Sequence, residues 1–330
     1  MRSYSPLKCG QNRNYSLTKC DSTHSYALIF NTLEHMERLA IKELLKWKTK
    51  EHRKPLIIEG ARQVGKTWLV KDFAQKNYKQ LAYVNFEEMK ILQNLFEQDF
   101  DISRILTAIG AATNVTCTEG DTLIFLDEIQ AAPHAITSLK YFLENAPGYH
   151  VIAAGSLLGI ELHQGESFPV GKVDFLSLHP MSFIEFVMAM GDNNLANLLQ
   201  SKDWNMITMF APKFQELLKY YYYVGGMPEA VLVFSQSRNW EEVRNIQKGI
   251  LNSYQRDMSK HAPSEIVPRI TDLWKSLPAQ LSKENKKFIY GVIREGARAR
   301  EYEIALQWLQ DAGLIYKVFN VKAKTSACQL

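Results

Sequence analysis

Residues 60–67 read Gly60-Ala61-Arg62-Gln63-Val64-Gly65-Lys66-Thr67, the spacing G-x-x-x-x-G-K-S/T of a loop that wraps phosphates. Each residue type has a task. The glycines let the backbone turn tightly enough to aim its N–H groups inward. The helix that follows adds partial positive charge where a phosphate would sit. Lys66 is placed to reach the β- and γ-phosphates, and the Thr67 hydroxyl to ligate Mg²⁺. The expected cradle runs from Gly60 through Thr67 to Trp68, the next residue of the helix.

A second signal lies downstream. Asp121-Thr122-Leu123-Ile124-Phe125-Leu126-Asp127-Glu128 is an apolar run ending in two carboxylates. In phosphoryl-transfer sites a strand-end Asp holds the Mg²⁺ shell opposite the loop hydroxyl, so Asp127 is the expected metal-side residue. A carboxylate beside it can orient and deprotonate an attacking water, and Glu128 is assigned that work. Ser156 follows another apolar run, Tyr149 to Ala154. It is expected to hold the water or sense the terminal phosphate, although a Ser at a strand end also serves as a plain turn former.

These groups can act together only if separate strands deliver them to one edge. Pro55-Leu56-Ile57-Ile58-Glu59 reads as a buried strand entering the loop, and Trp68 to Ala74 as the first turns of a helix. Further strands are expected at 81–86, 122–127, 149–154 and 173–178. Helical material is expected at 89–97, 102–112 and 135–144. Alternating strand and helix implies an α/β fold, a parallel sheet with helices on both faces. Right-handed crossovers then bring Lys66, Asp127 and Ser156 to the C-terminal edge of the strands.

Composition narrows the class. With 46% hydrophobic and 22% charged residues, the chain is neither disordered nor collagenous. A net charge of +4 is too small to establish nucleic-acid binding. No apolar stretch reaches the roughly 18 residues that span a bilayer. Cys9, Cys20, Cys117 and Cys328 lack C-x-x-C spacing, which argues against a zinc site and fits a reducing cytoplasm.

Residues 1–35 are polar and read as a poorly ordered extension, with the phosphate-loop domain spanning 36–192. Thr18-Lys19-Cys20-Asp21 mimics a guanine-reading motif but precedes the phosphate loop, so it is read as chance. The cations of 46–54 read as a solvated helix end and loop. A helical lid or linker is expected over 193–260, where Tyr220 to Tyr223 read as packing residues.

From 261 to 330, Lys and Arg outnumber Asp and Glu by eleven to seven. Three helices near 266–277, 286–295 and 301–311, then an apolar run Leu314 to Phe319, outline a winged helix carrying Arg294, Arg298 and Arg300. Such a module docks on DNA or on protein. Asp272 with Glu284 and Lys286 imitates a nuclease carboxylate set, but lies in a polar stretch rather than on a rigid strand.

From Met36 onward the chain resembles bacterial and archaeal AAA-type P-loop ATPases that carry a C-terminal domain of unknown function, often of restriction-endonuclease type. The strings that carry the resemblance are Pro55 to Thr67, Thr122 to Gln130 and Ala153 to Gly159. Phe168 to Val173 and Gly225-Gly226-Met227-Pro228-Glu229-Ala230 support it. The resemblance implies ATP as nucleotide, a winged-helix-like segment, and a nuclease-like domain of which most is expected to be missing after Leu330. Similar proteins carry Arg near Gly171-Lys172, so Lys172 becomes the candidate cation for the transition-state phosphate, without Arg's planar fork. Arg62 and Arg256 are weaker candidates.

The expectation is therefore a cytoplasmic, Mg²⁺-dependent ATPase that couples nucleotide state to its C-terminal part, with DNA or protein as partner. A small-molecule kinase is disfavoured by Glu128 directly after Asp127, because a kinase must exclude water. A non-hydrolysing ATP-binding module is the remaining rival.

Overall fold

The computed structural model describes residues 36–156, 158–161, 169–285 and 287–319. The extension 1–35, with its Thr18 to Asp21 string, lies outside the described residues. The described residues from Glu37 onward form one compact unit.

The elements appear in the expected alternation. Helix α1 spans Ile41–Lys48, β1 Leu56–Glu59, α2 Lys66–Asn77 and β2 Gln80–Asn85. Two short helical pieces follow, the second being α3, Leu95–Gln98. Then come α4 Ile102–Thr113, β3 Thr122–Asp127, α5 Pro133–Asn145, β4 His150–Ala154, α6 Leu158–Glu161 and β5 Asp174–Ser177. The strands pair in the order β2-β3-β4-β1-β5, all parallel. The loop after β1 and the carboxylates after β3 thus leave the sheet at its C-terminal edge.

Alternate strand residues feed two cores, as the period of 2 requires. Leu56 and Ile58, Leu123 and Phe125, and Ile152 and Ala154 face one side. Ile57, Ile124, Leu126, Val151 and Ala153 face the other, against α4 and α5. Helix α4 begins where Asp101 accepts hydrogen bonds from the Ser103 and Arg104 amides, a cap supplied by the local sequence.

The rest of the described chain is mainly helical: α7 Phe183–Ala189, α8 Asn193–Ser201, α9 Trp204–Met209, α10 Ala211–Val224, α11 Pro228–Ser237, α12 Trp240–His261, α13 Val267–Leu281 and α14 Ala299–Asp311. Helices α12, α13 and α14 do not stand apart. Ile250, Tyr254, Ile270, Leu273, Tyr302, Trp308 and Leu309 join the same apolar cluster as the phosphate-loop helix residues Leu69, Val70 and Phe73.

The expected winged helix is not what the described residues form. The middle helix is reduced to a 3-10 turn at Tyr290–Val292, and residues 314–319 pair with no strand. The apolar positions that suggested a separate module instead bury themselves in the cluster of Leu69, Val70 and Phe73. Arg294 pairs with Glu301 at 3.1 Å.

The basic stretch 46–54 is tied down at the N-terminal edge of the sheet. Lys46 pairs with Glu43 and Lys50 with Asp174, while Lys48, Arg53 and Lys54 donate to the carbonyls of Asn77, Pro147 and Gly171. At the same edge the Tyr78 hydroxyl and His150 Nδ1 share a hydrogen bond at 2.7 Å, and Trp47 meets the imidazole edge-on. Burial, reinforced by Arg53 and Lys48, lowers the His150 pKa to about 4. The native state therefore keeps this histidine neutral while the unfolded chain protonates it near pH 6.5. Stability from His150 is present above about pH 6.5 and is lost as pH falls toward about 4. We expect the wild type to lose about 1 kcal/mol more than His150→Gln between pH 6.5 and pH 5 in chemical denaturation. Parallel pH profiles for the two proteins would remove this assignment.

Candidate nucleotide site

The loop is shaped by its backbone. Gly60 has φ 144°, and a Cβ there would lie 2.2 Å from the Leu178 carbonyl oxygen, so no other residue fits beneath β5. Gln63 takes the left-handed region at φ 67°, and Gly65 caps α2 at φ 91°. Lys66, buried at 7% exposure, folds back and donates to the carbonyls of Gly60 at 2.8 Å and Ala61 at 3.0 Å. Burial pulls its pKa down to about 8, with the Glu128 and Asp127 carboxylates opposing the shift. Trp68 packs its ring on the adjacent core, so only its backbone, in the first turn of α2, belongs to the cradle.

Distant residues hold the loop from outside, and the local motif gave no sign of them. Arg38 donates through Nη1 to the Val64 carbonyl at 2.8 Å and through Nη2 to the His179 carbonyl at 2.6 Å. Its Nε pairs with the buried Glu185 at 3.0 Å. From α12, the Tyr254 hydroxyl donates to the Arg62 carbonyl at 2.8 Å, and Asp257 pairs with the Arg62 guanidinium at 2.8 Å. After α14, Gly313 comes so close that a Cβ on it would lie 3.3 Å from the Ala61 nitrogen.

Thr67 and Asp127 do meet: the hydroxyl donates to Asp127 Oδ2 at 2.7 Å. The Tyr83 hydroxyl, from β2, donates to the same oxygen at 3.2 Å. Asp127 is almost fully buried, which raises its pKa; the Thr67 hydrogen bond works against that shift. A hydroxyl and a carboxylate in contact are hard oxygen donors suited to Mg²⁺, which takes few protein ligands and fills its octahedron with phosphate oxygens and water. No group of three His, Cys, Asp or Glu side chains able to hold a metal occurs among the described residues.

Glu128 sits in the left-handed region at φ 50°. Gln130 Nε2 donates to Glu128 Oε2 at 2.6 Å, and Ser156 Oγ lies 3.4 Å from the same atom. Ser156 and Glu128 are thus brought together. Gln130 was not anticipated; its Oε1 is buried without a hydrogen-bond partner.

Lys172 is not brought to the site. Strand β5 runs parallel to β1 with Asp174 opposite Leu56, so residues just before it lie at the N-terminal edge, across the sheet from the loop. There Lys172 pairs with Glu144 at 2.8 Å. Arg256 is exposed on α12 and Arg62 is committed to Asp257.

Tyr83 has a testable role as a positioning residue for Asp127. Tyr83→Phe keeps the ring under the Lys71 ammonium, 3.7 Å from its centroid, and removes only the hydroxyl that bonds Asp127. We expect the Mg²⁺ concentration needed for half-maximal nucleotide binding to rise about tenfold with little change in melting temperature. An unchanged Mg²⁺ titration would show that Thr67 alone orients the carboxylate.

Residues 52–187 match the sequence profile of the AAA domain family, and residues 215–329 that of a domain of unknown function (DUF8612). No curated protein matches the chain. Among solved structures, the Walker-type ATPase PABY2304 of Pyrococcus abyssi is similar at 14% identity and TM-score 0.53, over 84% of this chain and 89% of that one. Cdc6p from Pyrobaculum aerophilum aligns at 11% identity over 92% of this chain and 84% of its own, with a TM-score of 0.31. Identity this low speaks to fold alone, and only the first likeness is close enough to do so. The loop, the strand-end carboxylates, the AAA profile match and the Pyrococcus abyssi likeness agree: the chain has a P-loop ATPase-like fold, an AAA-type domain followed by a helical region.

Proposed function

We propose that this protein binds ATP with Mg²⁺ and hydrolyses it slowly, as a nucleotide-driven switch in the cytoplasm. The observation that carries the reading is the polar cluster Glu128–Gln130–Ser156 at one strand edge with the Thr67–Asp127 pair. Lys66 and the loop amides would hold the phosphates once the ammonium leaves the Gly60 and Ala61 carbonyls. Thr67 and Asp127 would hold Mg²⁺, which neutralises charge on the β- and γ-phosphate oxygens. Glu128 would take the proton of an attacking water, with the unpaired Gln130 Oε1 as a second acceptor. Switching would run through the contacts of Tyr254, Asp257 and Gly313 with the loop, because a phosphate that moves the loop must move α12 and the segment after α14.

The non-hydrolysing reading has one observation in its favour. Among the described residues the cations beside the loop other than Lys66 are engaged, Arg62 with Asp257 and Arg38 with Glu185. Among the described residues no unpaired guanidinium lies beside the loop for the transition state, so turnover by the isolated chain should be slow. Equilibrium binding of ATP and GTP beside Mg²⁺-dependent phosphate release tests both. Tight ATP binding with slow, Mg²⁺-dependent release supports the switch. ATP binding without release supports the module, and absence of ATP binding removes both.

A further inference from the structure

Helix α12 has two working faces. The inner face carries Tyr254 and Asp257, which grip the phosphate loop, with Ile250 and Met258 in the core. The outer face carries Lys248, Asn252, Arg256 and Lys260, four exposed side chains at intervals of four residues. At about 1.5 Å per residue the row is about 18 Å long, with a side chain about every 6 Å. Between Val243 and Arg256 the helix has no acidic residue, and the next one, Asp257, is turned inward to Arg62. Among the described residues Lys248, Arg256 and Lys260 form no ion pair. Gln255 and Ser259 lie between them, both exposed.

We propose that this face of α12 binds the phosphate backbone of double-stranded nucleic acid. Cations interleaved with amide and hydroxyl donors suit a ligand that presents acceptor oxygens at regular spacing. A duplex strand offers a phosphate about every 3.4 Å of axis, so the row faces about five of them. The row carries no aromatic side chain, so unstacked bases of a single strand find no platform there. Leu251 is the one large exposed apolar residue on α12 beyond Trp240 at its start, which leaves no apolar stripe to enter a membrane. Because Tyr254 and Asp257 lie on the same helix, an occupied row would bear on the phosphate loop through one rigid element.

The test is fluorescence anisotropy of the full chain with a labelled duplex of about 20 base pairs, without nucleotide, over a salt series. Three neutralised phosphates give a slope of log affinity against log salt of about −3. K248E/R256E/K260E should lose at least tenfold in affinity and most of that slope while its melting temperature stays near wild type. Arg256→Gln alone, a milder change on an exposed side chain, should weaken binding several-fold. Wild-type affinity in both variants overturns the proposal. So does equal affinity for single-stranded DNA or for polyglutamate of matched charge, which would mean general attraction of polyanions. Since nucleotide is absent, this outcome is independent of whether the chain hydrolyses ATP.

Discussion

Glu128→Gln is expected to bind ATP as tightly as the wild type and to release phosphate at least about a hundredfold more slowly. Gln matches Glu in size and its Oε1 can still accept from Gln130 Nε2 and Ser156 Oγ, so the cluster keeps its shape. What is lost is the ability to take a proton, and positioned general bases contribute about 10²- to 10⁴-fold. The left-handed backbone at Glu128 is unaffected, because Gln tolerates it as well as Glu does. Binding by calorimetry and single-turnover phosphate release separate the two effects. Turnover within a few-fold of wild type would exclude Glu128 as the base and move attention to Asp127.

Arg38→Ala is expected to be the most damaging single change outside the loop. Its guanidinium donates to two carbonyls and to Glu185, and both side chains are about 95% buried. Removing it strands the Glu185 carboxylate in a dry site, a loss of about 3–5 kcal/mol. Glu185 would retain donors from the Leu39 and Ser182 amides, which holds the loss toward the lower end. The Val64 carbonyl would lose its partner too, so ATP affinity should fall even where the protein is fully folded. Denaturant unfolding gives the first quantity and nucleotide titration well below the midpoint the second. R38A/E185Q should recover part of the stability, since the unpaired charge is gone, but not the ATP affinity. Equal losses in single and double variants would refute a buried-charge origin.

The legible part of the site was local. Glycine, lysine and threonine at fixed offsets act through one turn of backbone, and Asp127 and Glu128 follow a run apolar enough to be a central strand. Continuous apolar runs over β1, β3 and β4 with helical segments between them were sufficient for a parallel sheet. Where the described residues depart from the expectation, a local pattern had more than one tertiary use. The apolar positions of α13 and α14 suit a winged helix and suit packing on an ATPase sheet, and the second buries them beside Leu69 and Phe73.

Sequence alone therefore determined the chemistry on offer: a phosphate cradle at residues 60–67, a carboxylate pair at 127–128, and a sheet to bring them together. Tertiary structure decided who else takes part. Strand direction sent Lys172 to the far edge of the sheet and Ser156 to the near one. Long-range packing brought Arg38, Tyr83, Tyr254 and Asp257 to the loop and its carboxylate, across separations of 26 to 195 residues. Such contacts leave no periodic trace, because each depends on where two remote backbones cross and not on the residues beside it in the chain.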